Sequence, residues 1–130
     1  MKNLEKKIHK YLKDRNWHNL RPSDLAKSIS IESAELLELF QWENLPLAEV
    51  KKDKEKLEAI SNELADVMVY AFDMAVLLGL DTRKIIHKKL THITKKYPAH
   101  LMRKNGGSES GSGADAIYWK IKKKYRRQGK

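Results

Sequence analysis

Hydrophobic positions along this chain recur with the 3.6-residue period of an α-helix, and no alternating run bounded by turn residues predicts a β-strand. The period predicts four helices in the body of the chain, over residues 4–15, 23–41, 55–78 and 82–96. Pro22 suits a helix start, Gly79 suits the C-terminal end of the third helix, and Pro98 ends the fourth. The sequence therefore predicts an all-α fold, organised as a four-helix bundle.

The same period identifies the side chains that face inward in the first and fourth predicted helices. In the first helix they are Leu4, Ile8, Tyr11 and Leu12. In the fourth they are Ile86, Leu90, Ile93 and Tyr97. These two rows predict the sides on which the helices pack in the bundle.

Two pairs of carboxylates interrupt the apolar pattern. Glu32 and Glu35 lie three residues apart in the second helix, and Glu63 and Asp66 lie three apart in the third, so each pair shares one helix face. Glu32 also falls in an otherwise apolar row of Leu25, Ile29, Leu36 and Leu39. A carboxylate in a core-facing position must be paired, protonated or metal-bound. Two such pairs on packed helices would offer the oxygen ligands that Mg²⁺ prefers.

The second acid pair borders a segment, residues 64–80, that is apolar on nearly every side and whose charged residues are Asp66 and Asp73. The ordinary interpretation of such acids is a solvent-exposed helix face, and a second interpretation of the segment is a membrane span. The segment is shorter than the roughly 20 residues that a span needs, and it carries two aspartates. We therefore predict buried acids and no membrane contact.

The 130-residue length indicates one globular body, and the absence of cysteine excludes disulfide scaffolds and cysteine-ligated metal sites. No apolar stretch follows the charged first ten residues, so a soluble cytoplasmic protein is expected. Of the net charge of +10, residues 114–130 contribute +6, with seven Lys or Arg against Asp115, which leaves +4 for the rest. The composition predicts a body over 1–104, a Gly/Ser-rich linker over 105–113 and a basic, helical tail over 114–130.

The acid pairs and their surroundings resemble the MazG-like all-α nucleoside triphosphate pyrophosphohydrolases, in particular the compact dCTPase-like branch. The likeness extends over residues 4–100 and keeps the order of several motifs. These motifs are Arg15-Asn16-Trp17, the helix start at 22–25, Glu32-Ser33-Ala34-Glu35-Leu36, Leu39-Phe40-Gln41-Trp42, Glu63-Leu64-Ala65-Asp66-Val67 and Lys96-Tyr97-Pro98. The combined pattern is specific, whereas a single pair of glutamates three apart would be weak.

The resemblance implies Mg²⁺-dependent hydrolysis of (deoxy)nucleoside triphosphates to monophosphate and pyrophosphate, with Mn²⁺ as a substitute metal. It implies clearance of pyrimidine or modified nucleotides from the nucleotide pool. The metal ligands it implies are Glu32, Glu35, Glu63 and Asp66. The attacking water would be activated by the metal and by acids such as Glu35 and Glu38. A divalent cation suits this chemistry because carboxylates alone would repel a triphosphate.

The resemblance also implies which side chains contact the substrate. Trp17 and Trp42 match the aromatic residues that enclose the base. Tyr70 follows Asp66 by four residues, on the acid-bearing face, and matches a tyrosine near the phosphates. Lys89 matches a basic residue that contacts the nucleotide.

Two positions depart from the dCTPase-like pattern. Ile93 stands where that branch usually has an asparagine that contacts the nucleotide, and Ile8 stands where it often has a histidine. Both departures concern recognition of the base or sugar and leave the metal site intact. They predict relaxed base specificity.

Other functions fit parts of the sequence. A di-iron bundle also uses acids on facing helices, but its sites need Glu-x-x-His, which neither acid pair provides. A nucleic-acid-binding helical module acting through the basic tail, where Tyr118, Trp119 and Tyr125 stand among lysines, is the alternative function, less favoured because it leaves the acids unexplained. A partner-binding bundle without activity ranks last. Because the resembled family forms dimers or dimers of dimers, a homodimer or homotetramer is expected.

Overall fold

The computed structural model describes the backbone of residues 1–105 and 112–130 and the side chains of residues 1–103 and 116–130. Over this part of the chain the secondary structure is helical and contains no strand, which confirms the predicted all-α class. The helices are α1 (Lys2–Asp14), α2 (Pro22–Glu38), α3 (Leu47–Val50), α4 (Lys54–Leu77), α5 (Thr82–Lys96), α6 (Ala99–Asn105) and α7 (Ser112–Arg127).

The predicted helix bounds agree with the structure to the residue for α5 and within two residues for α1 and α4, whereas α2 ends three residues earlier than predicted. The sequence pattern misses the short helices α3 and α6, and both follow a proline. Pro46 is the N-cap of α3, and the carbonyl of Pro98 accepts the backbone N–H of Leu101 at 3.0 Å. Each proline thus ends one segment and starts another helix directly.

The chain forms two units, residues 1–82 (the N-terminal unit) and residues 83–130 (the C-terminal unit). In the N-terminal unit α4 packs against both α2 and α1. Its apolar core is small and consists of Ile8, Leu12, Leu25 and Ala75. This packing sets the relative position of α2 and α4, the two helices that carry the acid pairs.

Left-handed residues end two of the helices in the N-terminal unit. Asn16 (φ 60°) follows α1, and the backbone N–H of Trp17 bonds to the carbonyl of Leu12 at 2.8 Å. Gly79 (φ 66°) follows α4, as predicted, and the N–H of Leu80 bonds to the carbonyl of Ala75 at 2.8 Å. Both arrangements are Schellman motifs, in which glycine or asparagine tolerates the positive φ.

In the C-terminal unit α6 packs against α7, and aromatic side chains connect the end of α5 to α7. The rings of Tyr97 and Tyr118 are stacked with centroids 5.2 Å apart, and His92 meets Tyr125 edge-on at 6.1 Å. The predicted linker falls largely on residues 106–111, outside the described residues. The division into 1–104, 105–113 and 114–130 therefore stays a prediction.

Part of the predicted core is wrong. Ile86, Leu90 and Ile93 of α5 are exposed, as are Leu4 and Tyr11 of α1, while Ile8 and Leu12 are buried as predicted. The physical reason is that a helical period identifies the apolar side of a helix but not the element that covers it. No helix in the described part has an apolar stretch long enough to cross a bilayer.

Asp73 of α4 is buried, with 3% of its surface exposed, and its Oδ1 atom has no hydrogen-bond partner among the described residues. Burial raises the pKa of the Asp73 carboxyl. Because folding disfavours the ionised form, the folded state binds the proton more tightly than the unfolded chain does. The free energy of unfolding therefore falls as pH rises from the ordinary aspartate value of 3.8 through the raised folded value.

We predict that Asp73→Asn is more stable than the wild type above that interval, by about 1–3 kcal/mol, the cost of an unsatisfied buried group. The difference should shrink as pH is lowered toward 3.8. Urea unfolding at a series of pH values measures it, with Glu58→Gln at an exposed position of α4 as the control. Identical pH profiles for the wild type and Asp73→Asn would show that burial of the carboxylate costs nothing.

Candidate metal centre

Packing of α2 against α4 brings three of the four predicted ligands together. Glu32, Glu63 and Asp66 each offer one carboxylate oxygen, and these oxygens all lie within 4.8 Å of one another. Glu32 and Glu63 are half-buried, and Asp66 is exposed. We call these three residues the acid cluster.

The acid cluster arises because α2 presents Glu32 to α4, and α4 presents Glu63 and Asp66 to α2. On α2 the predicted row is the inward side, since Leu25 is buried and Ile29, Glu32, Leu36 and Leu39 are half-buried. On α4 Glu63, Asp66, Tyr70 and Asp73 follow one another at helical spacing. The prediction that the second pair is buried is wrong for Asp66, which is exposed, because apolar residues next to it in sequence lie on other sides of the helix and do not cover it; Leu64 and Met68 are themselves exposed.

Glu35 and Glu38 lie beside the acid cluster on α2. Glu35 is exposed and is not one of the three mutually close carboxylates, but its charge raises the pKa of Glu32. Both glutamates line a cleft of about 760 Å³ whose other walls are largely apolar, formed by Ile31, Ala34, Leu37, Phe40 and Gln41. The roles predicted for Glu35, as ligand and catalytic acid, and for Glu38 stay predictions.

The residues predicted to contact the substrate are more dispersed. Trp17 packs edge-on against Tyr11, with ring centroids 6.0 Å apart, at the end of α1. Trp42 follows α2 and is 88% exposed. Tyr70 is half-buried on the acid-bearing side of α4, and Lys89 is exposed on α5 in the C-terminal unit. Their roles toward a nucleotide stay predictions.

The electrostatics of the acid cluster favour a cation. The pKa of Glu32 is raised, first by burial and then by the negative charges of Glu35, Asp66 and Glu63. A raised carboxyl pKa means that the negative charge is disfavoured where it stands. A hard divalent cation relieves this repulsion, and three carboxylate oxygens are the donors that Mg²⁺ and Mn²⁺ bind. The acid cluster could therefore hold such an ion.

We predict that Mg²⁺ and Mn²⁺ raise the melting temperature of the protein, because a ligand that binds only the folded state stabilises it by mass action, by about 2.7 kcal/mol at a hundred times its Kd. Glu32→Gln should abolish this shift, since it removes a ligand, and should melt higher than the wild type when both are in chelator. Differential scanning fluorimetry with metal or chelator measures both effects. An undiminished metal shift in Glu32→Gln would remove Glu32 from the ligand set.

Comparison with known proteins shows the family of the chain. The MazG-like family matches residues 27–110, which include all four predicted ligands. The chain belongs to the MazG-like family.

Individual relatives agree with this assignment. The chain is 29% identical over 102 residues to dCTP pyrophosphatase 1 of rat and, equally, of human. The matched region is 75% of this chain but 59% of those proteins, so the chain spans about three-fifths of the length of the curated relatives it matches. A crystal structure of a pyrophosphatase from Archaeoglobus fulgidus superposes with a TM-score of 0.65 at 31% identity, covering 75% of this chain and 92% of that one.

The apolar cleft beside Glu35 and Glu38 is the part of the site that sequence reasoning misses. Ile31 and Leu37 lie outside the inward row of α2, and both are exposed. A second apolar side on the same helix was the available signal, because a helix that is apolar on more than one side has a further surface to cover. The acid-bearing side of α2 therefore lies next to a surface that another element could cover.

Proposed function

We propose that this protein is a metal-dependent nucleoside triphosphate pyrophosphohydrolase that releases monophosphate and pyrophosphate. The observation that supports it most is the convergence of Glu32, Glu63 and Asp66 within 4.8 Å of one another in a MazG-like chain. Mg²⁺ is the proposed ion, with Mn²⁺ as a substitute, because the donors are carboxylate oxygens. When bound, the ion supplies charge neutralisation for the triphosphate and lowers the pKa of water.

The chain's own residues have distinct proposed roles. Glu32, Glu63 and Asp66 hold the ion, and Glu35, whose charge already acts on Glu32, completes the set when the site is loaded. Glu38 lines the same cleft as Glu35 and is exposed, so it can accept a proton from the attacking water. Attack at the α-phosphorus breaks the bond to the bridging oxygen, and the pyrophosphate leaves with that oxygen.

The proposed substrates are pyrimidine deoxynucleoside triphosphates, including modified ones, with the role of clearing them from the nucleotide pool. The name shared by the curated relatives, dCTP pyrophosphatase 1, supports the pyrimidine class. Trp17 and Trp42 are proposed to enclose the base, Tyr70 to lie near the phosphates and Lys89 to contact the nucleotide. Trp42, which is 88% exposed, has the freedom to close on a base. Because Ile93 cannot hydrogen-bond a base, selectivity among pyrimidines is expected to be low.

The active form is proposed to be a homodimer or homotetramer. The side chains of Leu64, Met68 and Val69 on α4, and of Ile31 and Leu37 on α2, are all exposed, although these two helices pack on each other. Single exposed apolar residues are ordinary, but we propose that these five, on two helices that pack on each other, form one patch of the kind that marks an interface. A second copy covering this patch would also cover the cleft that Glu35 and Glu38 line.

A panel of canonical and modified nucleoside triphosphates, incubated with the full chain and Mg²⁺, tests the proposal. Chromatography of the products should show a monophosphate for at least one pyrimidine substrate and no diphosphate. Values of kcat/KM for dCTP, dUTP and dTTP are expected to lie within about tenfold of one another, roughly 1.4 kcal/mol in activation free energy. Turnover to the diphosphate would contradict the proposed reaction, and a preference for one base far above tenfold would contradict the expected relaxed specificity.

A further inference from the structure

The net positive charge of the protein comes from its C-terminal unit. Residues 83–130 contain fifteen Lys or Arg against Glu109 and Asp115, a net charge of +13, whereas residues 1–82 have twelve Lys or Arg against fifteen acids, a net charge of −3. The small positive charge of the residues before 114 therefore comes from residues 83–113, which include α5, because residues 1–82 are net negative. The unit that carries this charge is separate from the one that carries the acid cluster.

The cations border a groove formed by α6 and α7. The groove has a volume of about 720 Å³, and Leu101, Ile117 and Ile121 form its apolar floor. Four cations of α7 line it, namely Lys120, Lys123, Lys124 and Arg127. The described side chains of the C-terminal unit include no carboxylate. Within this described part of the unit, the four cations therefore have no acidic side chain to pair with. We call them the groove cations.

Aromatic contacts hold α7 in place. Tyr118 stacks on Tyr97 at 5.2 Å and accepts a hydrogen bond from Lys122 Nζ at 3.1 Å. The Nζ atom of Lys96 lies 4.6 Å from the centre of the Tyr125 ring. These contacts involve Lys96 and Lys122, neither of which is a groove cation. The groove cations therefore extend from a helix whose position is already fixed by other residues. Fixing the helix in advance lowers the entropic cost of binding a charged ligand.

We propose that this groove binds single-stranded nucleic acid, a binding function beyond the proposed hydrolase activity. The groove cations run over eight residues of helix, from Lys120 to Arg127, about 10 Å at 1.5 Å per residue, which is long enough to contact more than one phosphate of a strand. Trp119 lies outside the groove, at its Lys123 edge, where its ring is 4.9 Å from Lys122 Nζ and meets Tyr118 edge-on, and it is 48% exposed. An exposed indole beside a row of cations pairs base stacking with phosphate contacts, the combination that recognises single strands without sequence preference.

A membrane surface would also attract cations, but the apolar side chains of α7 are already engaged. Ile117 and Ile121 are half-buried in the groove with Leu101, and the large apolar residue that α7 exposes among its described side chains is Trp119. A helix that lies in a lipid interface needs a free apolar side of several residues. The groove therefore fits a strand of nucleic acid better than a lipid surface.

Fluorescence anisotropy with a labelled single-stranded oligonucleotide of mixed sequence, titrated with the full chain at several salt concentrations, tests the proposal. The wild type should bind with a salt slope of about −2 to −3, since each phosphate contact on a single strand contributes about −0.7. Replacing all four groove cations by Gln should weaken binding at least tenfold and bring the slope near zero. Trp119→Leu should weaken it at least about fivefold while leaving the slope unchanged, because stacking contributes roughly 1–3 kcal/mol per base.

The matched control neutralises four exposed lysines of the N-terminal unit, Lys7, Lys13, Lys51 and Lys54, by the same change to Gln. This variant has the same net charge as the groove variant and should bind like the wild type. Equal weakening in both variants would show that net charge alone drives binding and would overturn the proposal. Stronger binding to duplex than to single strand, or binding to phosphatidylserine vesicles without binding to the oligonucleotide, would overturn it as well.

Discussion

Replacement of Glu63 by Gln is expected to lower the rate of pyrophosphate release by at least about a thousandfold, roughly 4 kcal/mol of activation free energy. Glu63 is one of the three carboxylates whose oxygens lie within 4.8 Å of one another, and it is half-buried between α4 and α2. Glutamine keeps the shape of the side chain, but a neutral amide oxygen is a poor ligand for a hard cation. Catalysis should therefore be lost while the helices remain.

The control for Glu63 is Glu58→Gln, an exposed glutamate of the same helix, five residues earlier and therefore on another side of α4. It should keep wild-type activity. Circular dichroism of both variants should match the wild type, and Glu63→Gln should melt higher than the wild type in chelator, because one of the charges acting on Glu32 is gone. A Glu63→Gln variant with near-normal turnover would exclude Glu63 as a metal ligand.

Introducing a charge at Met68 is expected to convert the proposed homo-oligomer into monomers of 15.1 kDa. Met68 is 48% exposed and lies two residues beyond Asp66, about 200° around the helix, so the substitution leaves the acid-bearing side of α4 untouched. In an interface, Met68→Glu would bury an unpaired carboxylate and cost several kcal/mol. Size-exclusion chromatography with light scattering measures the mass.

The control adds the same charge at Ser23, an exposed position in the first turn of α2, where a helix tolerates an acid well. Ser23→Glu should keep the wild-type mass. A Met68→Glu variant that also keeps the wild-type mass, or a wild type that is itself a monomer, would mean that the exposed sides of α2 and α4 are not the interface. If the second copy covers the cleft of Glu35 and Glu38, Met68→Glu should lose activity together with mass.

Local signals in the sequence predict the helices that have clear ends. Thr82–Lys96 is predicted to the residue because Gly79 and Pro98 bound it on both sides. The sequence pattern does not predict α6 because Pro98 ends α5, and nothing in the pattern shows that the carbonyl of Pro98 also begins the next helix. The exposed row of Ile86, Leu90 and Ile93 could not be predicted, because a period of 3.6 residues does not reveal what packs against it.

The sequence also predicts one part of the acid cluster and not another. Spacing of three residues places Glu63 and Asp66 on one side of α4, and the apolar row around Glu32 points that carboxylate inward. The carboxylate of α2 that lies nearest to Glu63 and Asp66 is Glu32 and not Glu35. Which of the two lies nearest depends on the rotation of α2 about its axis relative to α4. This rotation is set by the packing of the whole N-terminal unit, so no local pattern contains it.

The most direct test of the proposed function is ³¹P nuclear magnetic resonance of dCTP incubated with the wild-type protein and Mg²⁺. Resonances of dCMP and pyrophosphate should grow in equal amounts with the wild type and Mg²⁺, and neither should appear in chelator or with Glu63→Gln. Orthophosphate with dCDP as the products would contradict the proposed reaction. Undiminished turnover in chelator would contradict the assignment of Glu32, Glu63 and Asp66 as the ligands of an essential metal ion.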